Sequence, residues 1–321
     1  MPGTTTDKPR IAISQCLLGE HVRYDGGHKL DAFLTDVLAP FVEWVPICPE
    51  VEAGMGIPRE AMHLTGNPNS PRLLTIQTKV DHTVRLKAFS QRRVRALRTE
   101  DLDGYIFKTN SPSCGIHRVK VYGENGKSSK LGRGVYSAVV HKAFPLLPIE
   151  EEGRLNETIM LENFIERIFG YRRWKALVRA KRITRETIVD FHVRHTYLLL
   201  AHSRTHYAIL EKLISAADQY TPSNLARHYG KEFMDTLTVK STVQKHVKVL
   251  QRLAGHLKKH LHATEQAELE NTIADYHRKL TPRKIPLMHI QHIVRKLTVS
   301  SLMNQVYLNP HPQELILRNH I

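Results

Sequence analysis

Cysteine is scarce in this chain and odd in number: Cys16, Cys48 and Cys114 are the only three among 321 residues. An odd count excludes a framework in which every thiol is paired in a disulfide. The opening residues, MPGTTTDKPRIAIS, lack the hydrophobic centre of a secretory signal, and no apolar run is long enough to span a bilayer. Neither a membrane nor an obligatory protein partner is therefore expected, and the expected location is cytoplasmic. Internal repeats and low-complexity segments are missing as well.

Acidic residues are also in short supply, with 31 Asp and Glu against 47 Lys and Arg, a formal net charge of +16. The deficit is uneven. Residues 1–150 hold 20 basic and 15 acidic side chains, whereas residues 151–321 hold 27 and 16, together with 14 of the 20 histidines. A basic second half joined to a nearly balanced first half points to a polyanion-binding module attached to one with another task. Charge alone leaves RNA, DNA and anionic membrane open as the polyanion.

In the first half, short β-rich runs alternate with helical ones. RIAIS (10–14), FVEWVPI (41–47) and GYIFK (104–108) read as strands. KLDAFLTDVL (29–38), the basic run 81–98 and GVYSAVVHKAF (134–144) read as helices, with a polar loop over 54–72. Such alternation predicts an α/β fold, a Rossmann-like parallel sheet covered by helices. The second half has almost no strand signal and predicts an all-α domain. Ser241 with Gln244 forms a capping-box pattern there, followed by apolar residues at helical spacing from Val243 to Leu261. The boundary falls near 181–185, giving domains 8–183 and 184–321.

Each cysteine follows the end of a predicted strand by a few residues. Carboxyl ends of parallel strands share one edge, where ligands bind, so three loops distant in sequence would bring three thiols together. Zinc would accept three thiolates and keep a water; a cubane iron–sulfur cluster bound by three would keep one iron open, a soft Lewis acid suited to sulfur. Spacing does not choose between them, and three buried free thiols would be the plainer outcome.

The strings CLLGEHVRYDGGHK, PICPEVEAGMGIPRE and FKTNSPSCGI resemble the three signature blocks of the thiouracil desulfidase (TudS-type) family. All three cysteines fall inside them. The resemblance implies a [4Fe-4S] cluster held by Cys16, Cys48 and Cys114, with non-redox replacement of the sulfur of a thiolated pyrimidine by oxygen and sulfide leaving on the open iron. On the matching positions, Glu50 would activate water, a desolvated carboxylate there having a raised pKa suited to proton transfer. Ser111 would orient the water or the base; Ser113, Lys108, Asp25 and Glu52 are further candidates for contact with substrate. The segments HTYLLLAHSRTHYAILEKLI and QVYLNPHPQELILRNHI resemble the helical domain fused to such desulfidases in bacteria. Proteins of that layout resemble enzymes that convert 4-thiouridine to uridine in tRNA. The resemblance thus selects tRNA containing 4-thiouridine as partner. Alternatives are a desulfidase of free thiouracil and a non-catalytic RNA-binding iron–sulfur sensor.

Two basic stretches fit an RNA role. Arg167 to Arg185 holds eight Arg and Lys and no acid, including Arg172 and Arg173, with Phe169, Tyr171 and Trp174 interleaved. The helix over 85–98 presents Arg92 and Arg93. Lys245, Lys248 and Arg252 form a third cationic stripe. A charge run on one helix is more often a solvated face, and its aromatics more often core. His192, His195, His202 and His206 share a helical face, but no acidic or third partner is evident that would make them a metal site.

Overall fold

The computed structural model describes residues 8–123, 127–180 and 182–319. The chain forms two compact units. One runs from the N-terminus to Tyr171 and takes in the chain from Ile316 onward; the other is Arg172–Leu315. The division falls inside one long helix, whereas the sequence reading puts it at the break after that helix.

The first unit is built on β1 (Arg10–Ser14), β2 (Glu43–Ile47), β3 (Met62–Thr65), β4 (Arg72–Thr75), β5 (Gly104–Phe107), β6 (Val119–Tyr122), β7 (Ser128–Gly132) and β8 (Ile149–Glu151). Its helices are α1 (Pro49–Glu52), α2 (Thr83–Leu97), α3 (Val135–Ala143), α4 (Glu152–Leu155) and α5 (Thr158–Arg179). Strands β2, β1, β5 and β8 lie in that order in one sheet and every pair is parallel. The chain steps from β1 to one side, to β2, and then returns to its other side with β5. This reversal is the switch point at which open α/β sheets bind ligands beyond their carboxyl ends.

Period-two alternation explains why the sheet is buried on both faces. Ile11, Ile13 and Ile106 enter one core with Leu34, Leu38, Phe164 and Ile168; Ala12, Tyr105 and Phe107 enter the opposite core with Leu86, Phe89 and Tyr136. Each of these buried Ile, Leu and Phe side chains contributes about 1.5–3 kcal/mol through burial. The α/β expectation therefore holds. A second sheet, in the order β4, β3, β6, β7, mixes one parallel pair with two antiparallel hairpins and crosses the segment expected to be loop.

The second unit is helical: α6 (Arg185–His202), α7 (Arg204–Ser215), α8 (Pro222–Thr238), α9 (Val243–Leu257), α10 (Ala263–His277), α11 (Lys284–Lys296) and α12 (Ser300–Met303), with α13 (Pro312–Asn319) running past its end. Side-chain oxygens cap four of these helices. Thr184 accepts from the N–H of Thr187, Ser203 from His206, Thr221 from Asn224 and Thr242 from Lys245. Each cap contributes about 1 kcal/mol. The cap of α9 is Thr242, one residue beyond the expected Ser241, which is buried. Among the described residues no helix is long and apolar enough to cross a membrane.

Candidate active site

Cys16 lies in a single 3-10 turn, Gln15–Leu18, directly after β1. Its carbonyl accepts from the N–H of Lys29 at 2.8 Å, which ties the turn to the loop ahead of Phe33. Cys48 follows β2 and is the N-cap of α1, where Pro49 at the first helical position needs no N–H partner. Glu52 reaches back to accept from the Cys48 N–H at 3.2 Å. Cys114 follows β5 across a turn-rich loop. Three separate carboxyl-end loops thus place their thiols on one cavity of about 450 Å³, which Glu50, Arg59, Lys108 and Ser111 also line.

The thiols sense one another. Burial pushes the Cys16 thiol up to about 11, and Cys48 pushes it further in the same direction. Burial also raises Cys48, and raises Cys114 strongly, with Glu50, Cys48 and Cys16 adding to the latter. Among the described residues, no group of three or more His, Cys, Asp or Glu is gathered so as to hold a single metal ion. The thiols share a cavity without closing on one point.

Glu50 is held on both oxygens. Ser113 Oγ donates to its Oε1 at 2.7 Å, and Arg59 donates to its Oε2 through Nε at 2.8 Å and Nη2 at 2.6 Å. Arg59 is 8% exposed in its side chain and Glu50 13%, so this ion pair is largely out of water. The same guanidinium donates to the carbonyls of Val22 at 3.0 Å and Gly56 at 2.9 Å, joining the loops around two of the cysteines. The sequence reading expects Glu50 as a desolvated carboxylate; the structure also gives it a buried cationic partner.

Ser111 Oγ accepts from the N–H groups of Ser113 at 3.2 Å and Cys114 at 3.0 Å and so shapes the turn that presents Cys114. It lines the cavity. Ser113, with no exposure, does not line it and serves Glu50 instead. The N-terminus of α3 closes over this turn: Val135 and Tyr136 donate their N–H groups to the carbonyls of Pro112 and Ser113 at 3.1 and 2.9 Å. That approach requires Gly134, since a Cβ there would lie 2.5 Å from the Ser113 backbone. Backbone cannot yield as a flexible side-chain tip can. Gly134→Ala is expected to cost about 1–3 kcal/mol, read as a lowered urea midpoint; an unchanged midpoint would show that the turn adapts.

Two carboxylates that sequence reasoning passed over fix the Cys114 loop at both ends. Glu151, buried at the end of β8, accepts from the N–H of Ile116 at 2.6 Å and of His117 at 3.1 Å. Glu152 accepts from the N–H of Thr109 at 2.7 Å and its hydroxyl at 2.8 Å. It also pairs with Lys108 Nζ at 2.5 Å. Lys108 lines the cavity with its charge already engaged. Asp25 does not line it: exposed, it accepts from the Gly27 N–H at 3.0 Å and pairs with Arg23, and these contacts hold its carboxyl low. Glu52 pairs with Arg93 at 3.2 Å.

Of the cationic residues singled out for RNA, Arg92 is exposed on α2, whereas Arg93 is half-buried against Glu52. Arg172 is half-buried, and Arg173 turns inward to the buried Glu314 at 2.8 Å and to His195 at 3.1 Å. The aromatics of that stretch are core: Phe169 packs under the parallel sheet, and Trp174 packs on Phe191 and Tyr229, its indole filling the space that Gly230 leaves. Lys245 donates to the carbonyls of His202 and Lys240, and burial lowers its pKa. Lys248 and Arg252 are exposed. Together with Lys245 and Arg204, which the sequence reading missed, they line a cavity of about 450 Å³ floored by Leu200 and Val249. His192, His195 and His202 are buried and hydrogen-bonded to Tyr229, Phe191 and Val239, as packing histidines are. His206 pairs with Glu232 at 2.7 Å.

Comparison with known proteins finds similarity in both parts of the chain. An uncharacterized Escherichia coli (strain K12) protein, YbgA, is 28% identical over 140 residues, 43% of this chain and 82% of its own. A solved structure, the [4Fe-4S]-dependent thiouracil desulfidase TudS, is 26% identical and covers 46% of this chain and 94% of its own, with a TM-score of 0.38. Residues 196–312 match the family model of a protein of unknown function, DUF1722, and residues 11–152 match that of 2-thiouracil desulfurase. The matched N-terminal span begins in β1, ends at Glu152 and contains every residue of the thiol-lined cavity, so the similarity to the 2-thiouracil desulfurase family falls on the part of the chain that carries the cavity.

Proposed function

We propose that the chain is a [4Fe-4S]-dependent, non-redox desulfidase that converts 4-thiouridine to uridine in tRNA. The observation that carries this reading is the meeting of Cys16, Cys48 and Cys114, from three loops, on one cavity with Glu50 and Ser111. Three thiols on one cavity are the soft donor set an iron–sulfur cluster takes, one short of the usual four. When bound, such a cluster supplies one iron without a protein ligand, a soft Lewis acid for a thiocarbonyl sulfur.

The chain's own residues do the rest. Cys16, Cys48 and Cys114 hold the group. Glu50 takes a proton from water as its oxygen adds to the ring carbon, the C–S bond breaks, and sulfur leaves as hydrogen sulfide; no electron is gained or lost. Arg59 and Ser113 keep the carboxylate aimed during that transfer. Ser111 uses its lone pairs on two backbone N–H groups, leaving its O–H for the base. Iron and acid-labile sulfide in anaerobically prepared protein, with loss of 4-thiouridine from tRNA by nucleoside mass spectrometry, test the reading. Colourless, zinc-containing protein would sink it.

Binding of tRNA is assigned to the helical unit because Arg204, Lys248 and Arg252 are exposed, line one cavity and make no ion pair among the described residues. Neutralising all three with Gln is expected to flatten the slope of log affinity against log salt by about two units, since each phosphate contact contributes roughly 0.7–0.9. Turnover of free thiouracil should not change. An unaltered slope would remove the RNA from this surface.

A further inference from the structure

We propose that Tyr24 is the platform on which the thiolated base stacks, making it a binding residue of the cavity; this rests on the desulfidase reading. Tyr24 sits on a closed turn. Gly26 donates its N–H to the Arg23 carbonyl at 3.0 Å, Arg23 donates to Gly27 at 3.2 Å, and Gly26 takes the left-handed conformation, φ +76°, that such a turn requires. The Tyr24 carbonyl also accepts from the Arg59 N–H at 2.8 Å. Its backbone is therefore fixed to the residue that clamps Glu50.

Within the fold its ring meets the Arg23 guanidinium. The residue is 40% exposed, and its hydroxyl makes no hydrogen bond among the described residues. Framework tyrosines of this chain behave otherwise: Tyr105 and Tyr136 meet through their hydroxyls at 3.4 Å, and Tyr229 and Tyr307 reach His192 and His246 at 3.2 and 3.0 Å. Tyr24 nonetheless lines the same cavity as the three thiols.

The surroundings make the ring a platform. The guanidinium of Arg23 lies over it, 5.2 Å from the centroid, and is itself anchored to Asp25 at 3.3 and 3.4 Å. Met62, the first residue of β3, and Ile76, just past β4, give the cavity apolar wall. A pyrimidine offers a π-face whatever its substituents, so an aromatic ring beside an apolar wall orients it by stacking and leaves its edge for Glu50, Ser111 and the sulfur-binding centre. Asp25 then acts through Arg23 and the turn rather than by touching substrate.

The test compares Tyr24→Phe and Tyr24→Leu in the full chain. Loss of one base–aromatic stack corresponds to about tenfold in affinity. Tyr24→Leu should raise KM for free 4-thiouracil about tenfold with kcat within about twofold and iron content unchanged; Tyr24→Phe should restore the wild-type KM. Uracil binding by equilibrium dialysis, with and without iron loaded, should rank the three proteins the same way. Equal uracil affinity in all three, no uracil binding by wild type, or a Phe variant as weak as Leu would overturn the proposal. Wild-type protein that takes up no iron would sink the desulfidase reading instead, while dialysis still ranks the rings.

Discussion

Serine in place of any one of Cys16, Cys48 or Cys114 is expected to leave the protein without visible charge-transfer absorption and without turnover of either 4-thiouracil or thiolated tRNA. The volume change is small, so the effect is chemical. A serine hydroxyl is a harder donor than a thiol and gives up its proton far less readily, so two soft ligands would remain where three are needed. The fold should survive. Cys48 and Cys114 are buried among side chains that pack around them anyway, and neither takes part in a disulfide. The Cys48 Sγ contact with the Val22 carbonyl, at 3.7 Å, is one a hydroxyl can replace. Iron and sulfide per chain, measured beside circular dichroism, separate loss of the centre from loss of the fold. Full iron content in one variant would strike that cysteine from the ligand set and with it the shared centre.

The parts of this site legible in the sequence are those written locally. A buried strand followed at once by a cysteine in a turn is a short-range pattern, and β1, β2 and β5 stand where the apolar runs RIAIS, FVEWVPI and GYIFK lie. What sequence reading missed depends on contacts across long separations. Glu151 and Glu152 belong to an acidic run that reads as a solvated face; they are buried because backbone N–H groups of the Cys114 loop, 34 to 43 residues earlier, need acceptors there. Arg59 lies in a polar loop where nothing local hints at Glu50, nine residues back. The strands of the second sheet are four or five residues long and interrupted by polar turns, too short for alternation to stand out from loop. The basic aromatic run from Arg167 misled in the opposite sense. Its charges are visible in sequence, but tertiary packing turns Arg167 to Glu150, Arg173 to Glu314 and Trp174 into the core.

Glu50→Gln should lower kcat by about 10²- to 10⁴-fold while iron stays bound, the range over which a positioned general base contributes. Glutamine isolates that contribution because it fits the same contacts. Its amide oxygen can accept from Arg59, and its amide nitrogen can face Ser113 Oγ, which then turns its own proton elsewhere. What it cannot do is take a proton from water. The change has a second consequence through Arg59, whose buried guanidinium would lose its anion and keep neutral acceptors, the glutamine amide oxygen and the carbonyls of Val22 and Gly56. Stripping one partner from a buried pair costs about 3–5 kcal/mol when nothing compensates, and less here because both carbonyls and the amide oxygen remain. The urea midpoint should therefore fall, with kcat measured on protein that is still folded and iron-loaded. Arg59→Lys would be expected to weaken the aim of the carboxylate without removing the base, so its kcat should lie between wild type and Glu50→Gln, since an ammonium cannot span Glu50, Val22 and Gly56 with the fork of a guanidinium. If Glu50→Gln kept the full rate, the proton would have to leave by another group, and Ser111 and Lys108, which line the cavity and contact the Cys114 loop, would be the next candidates.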